Sequence, residues 1–139
     1  MLDIIEEKFT DIVSKCLEKN AKKEGVGKAD MQLVFKLNQS DEAEYVLYKK
    51  YEPVKVLSFL NVLGVMIDIR GYSLYVPQFI SGALLRFCEE LEIEKKNVRV
   101  VTSFQNEKFV LWLYNHNTFV KEVTIESLFN AEDMLVKES

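Results

Sequence analysis

The chain is poor in the residues that most often hold metals or attack bonds: its 139 residues include two cysteines and one histidine. Cys16 and Cys88 both fall inside apolar helical patterns, where a thiol behaves as a small hydrophobe rather than as half of a planned crosslink. His116 has no second histidine and no nearby cysteine, so a zinc site of the usual composition lacks its ligands. Neither a metal nor another cofactor is expected. Arginine is scarce as well, limited to Arg70, Arg86 and Arg99. Lys19, Lys22, Lys23 and Lys28 make a local positive excess, but a net charge of -4 gains little from the counterion release that dominates nucleic-acid binding. Nucleic acid is therefore not an expected partner.

Long apolar runs are missing too. None reaches the roughly 18 residues of a membrane span, and the opening MLDIIEEKF carries acids where a secretory signal would carry basic residues. The expectation is a cytoplasmic protein with no membrane partner. Apolar side chains are not scarce, at 48% of the chain against 29% charged, so most of the length should fold, as one domain over residues 1–139.

What is present is periodicity. Leu2, Ile5, Phe9, Ile12, Val13, Cys16 and Leu17 recur at three- and four-residue steps, one stripe of an amphipathic helix that Gly25 and Gly27 end. Acid-first pairs four apart, Asp11 with Lys15 and Glu18 with Lys22, mark its wet face. From Met31 the period becomes two: Met31, Leu33, Phe35 and Leu37 alternate with Gln32, Val34, Lys36 and Asn38. The turn-rich Asn38-Gln39-Ser40-Asp41 then leads to a second run, Tyr45 to Tyr51, which predicts an antiparallel hairpin. Between Pro53 and Leu63 the polar residues Glu52, Lys55, Ser58 and Asn61 fall every third position, which predicts a short helix opened by Pro53 and stopped by Gly64. So narrow a polar stripe would leave that helix apolar nearly all round.

Val65, Ile67 and Ile69 alternate as a strand, and a short fourth strand follows at Leu74 to Val76. Pro77 opens a second strong helix, striped by Phe79, Ile80, Ala83, Leu84, Phe87, Cys88 and Leu91. Gly82 inside it costs about 1 kcal/mol against alanine, so a close approach to its backbone is expected. The last third reads as a meander of three strands, Val98 to Phe104, Lys108 to Tyr114 and Phe119 to Ile125, with turns at Asn106-Glu107 and at Asn115-His116-Asn117. A closing helix is predicted over Glu126 to Val136. Each long helix precedes a hairpin, and Tyr45-Val46-Leu47-Tyr48 echoes Phe109-Val110-Leu111-Trp112, although short apolar strands resemble one another through shared burial alone.

The order is thus α-β-β-α-β-α-β-β-β-α: an α+β fold with a mostly antiparallel sheet of about five to six strands, packed by three to four helices. Catalysis needs converging groups, and few converge here. Asp68, Arg70 and Tyr72 alternate on or near one strand and form a candidate polar site, with the wet face of that strand as the plainer account. Cys88 and His116 lie on distant elements. Gly25-Val26-Gly27-Lys28 follows a helix rather than a strand, with the wrong spacing for a phosphate loop. No catalytic residue and no metal site is assigned.

The unbroken apolar run Phe109 to Tyr114 marks a strand covered on both faces. With the Pro53 to Leu63 segment, it asks for more cover than one small chain supplies. Val56, Phe59, Leu60, Leu63, Trp112 and Tyr114 are the candidate interface. In its order of elements and its acidity the chain is similar to the small dimeric secretion chaperones of bacterial type III systems. That resemblance implies a homodimer that binds another protein, and it assigns no residue. The expected function is a non-catalytic protein-binding module, chaperone-like or adaptor-like. The alternative is a small-molecule binder with an apolar pocket between helices and sheet, and an enzyme is expected least.

Overall fold

The computed structural model describes residues 2–57, 66–69 and 72–129. Along the chain run α1 (Leu2–Glu24), a 3-10 turn (Lys28–Asp30), β1 (Met31–Leu37), β2 (Ala43–Lys49) and β3 (Glu52–Leu57). A small hairpin follows, β4 (Met66–Ile69) with β5 (Tyr72–Tyr75). Then come α2 (Val76–Leu91), β6 (Val98–Gln105), β7 (Lys108–Asn115), β8 (Thr118–Glu122) and α3 (Ile125–Leu128). Among the described residues six strands form one antiparallel sheet in the order β3-β2-β1-β6-β7-β8, while β4 and β5 pair with each other. Three helices against this sheet make the fold α+β, as the pattern of apolar residues predicts.

Alternation decides which side is covered. Leu33 and Phe35 of β1, Leu47 of β2, Val100 of β6 and Leu113 of β7 are buried in one core with Phe9 and Val13 of α1 and with Ile80 and Leu84 of α2. Phe9 is the hub. Its ring meets Phe35 at 6.2 Å, Phe109 at 6.2 Å and Phe129 at 5.4 Å, each edge to face, so one α1 side chain ties together β1, β7 and the end of α3. Outside the core, Asp11 and Lys15 form their 2.9 Å pair on the wet face of α1, adding a few tenths of a kcal/mol.

One predicted element is corrected. The helix expected over Pro53 to Leu63 is instead a strand across its first half, where β3 pairs with β2 from Lys49↔Glu52 to Tyr45↔Leu57; residues 58–63 lie outside the described ones. The cause is the turn before it. Lys50 and Tyr51 take positive φ of 50° and 64°, folding the chain straight back along β2 before a helix can start. Pro53 is tolerated because β3 is an edge strand, which needs no N–H on its outer side. The closing helix is short among the described residues, ending at Leu128, with the Thr124 hydroxyl accepting from the Ser127 N–H at 3.1 Å as its cap.

Gly82 also departs from expectation. Among the described residues a Cβ built there would meet nothing nearer than the Arg86 guanidinium at 3.9 Å, so no neighbouring backbone among them asks for glycine. Gly82→Ala is accordingly expected to raise stability by about 1 kcal/mol in chemical denaturation, through helix propensity alone. An unchanged or lowered midpoint would show that the space is needed.

The two halves of the sheet repeat each other. α1 ends at Gly25 (φ 68°), with Val26 N–H donating to Ala21 O at 3.1 Å; α2 ends at Glu92 (φ 55°), with Ile93 N–H donating to Cys88 O at 3.1 Å. Asp30 N–H donates to Gly27 O in one half, and Asn97 N–H to Glu94 O in the other. Lys50 N–H reaches Asp30 O, and His116 N–H reaches Asn97 O, each at 2.7 Å. Both outer ladders carry a register break, between Leu47 and Tyr48 and between Leu113 and Tyr114. Each half is a helix followed by three strands, and the antiparallel β1–β6 seam relates them by an approximate twofold axis near the Val34↔Val101 pair. The equivalence sets Leu47-Tyr48 against Leu113-Tyr114, two residues out of phase with the echo audible in the sequence.

Candidate functional site on the outer face of the sheet

The face of the sheet turned away from the core carries a row of paired residues that crosses all six strands. Val56 pairs with Val46, Val46 with Val34, Val34 with Val101, Val101 with Trp112, and Trp112 with Glu122. Val34, Val46 and Val101 are only 2%, 5% and 8% exposed there. The ends of the face stay open, with Val56 60% and Phe119 52% exposed. The indole N–H of Trp112 reaches the Glu122 carboxylate at 3.4 Å.

At the centre of this face is a hollow of about 210 Å³ lined by equivalent residues of the two halves. Val34 and Val101 form its floor, Tyr48 and Tyr114 line it from the two halves, and Tyr51 and Asn117 stand at its two turns. Symmetry breaks at one pair. Gln32 is wholly buried; its amide nitrogen donates to Ala29 O at 3.5 Å, and its oxygen accepts the Tyr51 N–H at 2.9 Å. At the matching position Arg99 donates to Lys96 O at 2.9 Å, the counterpart of the Ala29 bond, and to Val98 O at 3.1 Å. A guanidinium has no acceptor to offer. Where the first half presents an amide oxygen, the second presents further donors, beside Asn117 and His116. Tyr51 has its hydroxyl pKa raised, first by burial and second by Tyr114 alongside.

The hollow is also distinct in charge. The groove along α1 is lined by Glu6, Glu7 and Asp11, whereas no carboxylate lines this one among the described residues. Arg99 forms no ion pair among the described residues, and its cross-strand neighbour Lys36 is matched by Glu44 at 3.9 Å.

Of the candidate interface, Val56 and Trp112 lie in the same row, and Tyr114 stands opposite Arg99 one row away; Phe59, Leu60 and Leu63 lie outside the described residues. The candidate polar site is not on one strand: Asp68 is on β4 opposite Ser73, Tyr72 is on β5 opposite Ile69, and Arg70 is outside the described residues. Cys16 and Cys88 are both buried and unpaired with each other, and burial pushes both thiols up, away from the reactive thiolate. His116 forms a turn at φ 56°, as its asparagine neighbours predict. No cluster of three or more metal-ligating side chains occurs among the described residues. No helix among them is long and apolar enough to cross a membrane. Lys28, part of the basic segment, donates to the Ser14 hydroxyl and lies 4.0 Å over the Phe104 ring.

Sequence reasoning missed Gln32, Arg99, Val34 and Val101 as a group. The one available signal was that each sits on the polar phase of an alternating strand. Comparison of the chain with family models, with curated proteins and with solved structures gives no match.

Proposed function

We propose that this protein is a non-catalytic binding module that receives an extended segment of a partner protein on the face of its sheet turned away from the core. The observation that carries the reading is the apolar row from Val56 to Trp112, a stripe of roughly 19 Å at about 4.8 Å per strand. The stripe is one residue wide, and its middle is already sheltered. That leaves too little apolar area for the roughly 1,600 Å² that a stable association of two copies buries, so a narrow segment fits better than a second copy face to face. The sheet edges are poor alternatives. β3 carries Pro53, Lys55 and a register break, while β8 carries Lys121, Glu122 and another, features that discourage strand addition.

Selection from a random peptide library tests this, with retained peptides titrated against the isotope-labelled protein. The expected result is shifts of β1, β6 and β7 amides, and affinity at least tenfold lower for Trp112→Ala. Peptides that instead perturb the helices or the outer edges, or no enrichment at all, would overturn the reading. A protein of twice 16.2 kDa in sedimentation, with this face protected from solvent, would assign it to self-association instead.

A further inference from the structure

Resting on that reading, we infer that the hollow at Arg99 is a subsite for a carboxylate carried on a flat, single-ring apolar body. The floor is two valines and the walls are tyrosines, surfaces that match the faces and edge of a ring. A cavity of about 150 Å³ accepts a benzene-sized guest, so about 210 Å³ leaves room for one ring and one small charged group. The charge it takes is set by the broken symmetry. In the first half the Gln32 oxygen answers the Tyr51 N–H, so donor meets acceptor. In the second, Arg99 stands at the equivalent place with donors only, next to the Asn117 turn, and no acidic side chain among the described residues lines the hollow. An anion supplies the missing acceptor, and a planar carboxylate matches a guanidinium better than a point anion does. The same chemistry can arrive as a free aromatic acid or as the C-terminal phenylalanine of a partner chain.

Trp112, the only tryptophan, pairs with Val101 of the floor and serves as the reporter. Titrations followed by its fluorescence and by amide shifts would use phenylacetate, phenylacetamide, and a short peptide ending in phenylalanine with a free or an amidated terminus. The expected result is saturable binding of the free acid forms, with the amides at least tenfold weaker. Arg99→Gln places in the second half the residue that already folds at the equivalent site of the first; it should keep the fold and remove the preference for acid over amide. Free-terminus peptide binding more than tenfold tighter than phenylacetate identifies a partner's C-terminus as the source. Equal affinities identify a free acid. Equal binding of acid and amide by the parent protein, retained preference in Arg99→Gln, or no saturable binding of either acid would overturn the inference. Should library peptides still map to this face in that event, the binding-module reading stands and only the carboxylate subsite falls.

Discussion

Replacing Phe9 with alanine is expected to destabilise the protein by about 3–5 kcal/mol, close to the whole stability of many domains this size. The side chain is fully enclosed, and its three ring contacts reach β1, β7 and the segment after α3. Removing it leaves a void bounded by three different elements, none of which can collapse without pulling on another. Chemical denaturation should show the midpoint falling to a fraction of its original value, or a chain unfolded in buffer. Phe9→Leu, which refills most of the volume, should recover much of the loss. A Phe9→Ala protein within 1 kcal/mol of the parent would mean that the helices are held to the sheet by something other than this cluster.

Gln32→Leu is expected to cost about 1–3 kcal/mol, the penalty for leaving a polar group without its partner, although the new side chain is of similar size. The Gln32 oxygen is the acceptor for the Tyr51 N–H, and Tyr51 sits at a positive φ that a non-glycine residue adopts only when held there. Without that bond the Lys50-Tyr51 turn should loosen, and the Tyr51 amide should exchange with solvent faster than in the parent. Because Tyr51 lines one side of the hollow, the same substitution should also weaken any ligand held there. Unchanged exchange at Tyr51 would show that the strand pairing alone fixes the turn.

Much of this architecture can be read from the residues, and the failures have physical causes. α1 and α2 show the 3.6-residue stripe because one side of each is buried and the other wet. β1 shows alternation on its core side for the same reason. β3 hides because it lies at the edge: from Glu52 to Val56 every residue is exposed, so no burial pattern disciplines the order of polar and apolar side chains. A spacing of three then arises by chance and imitates a helix. The apolar run Phe109 to Tyr114 predicts cover on both faces; Phe109, Leu111 and Leu113 turn to the helices, while Trp112 lies half-buried beside the valines of the outer face. The hollow could not be found by spacing. Gln32 and Arg99 come together only through the pairing of β1 with β6, and Arg99 looks like any strand arginine until its counterpart is seen to be an amide.

The seam between the halves has a consequence for how the chain reaches this state. Within each half the ladders are local: β2 to β3, β6 to β7 and β7 to β8 each turn through two residues, and such hairpins close in microseconds. The seam joins Leu33 to Thr102 and Lys36 to Arg99, and it forms only when about half of the chain has been brought round. Loop closure of that span precedes any reward from the contacts it makes, so joining β1 to β6 sets the pace of folding. The hollow, which straddles the seam, is assembled in that last step.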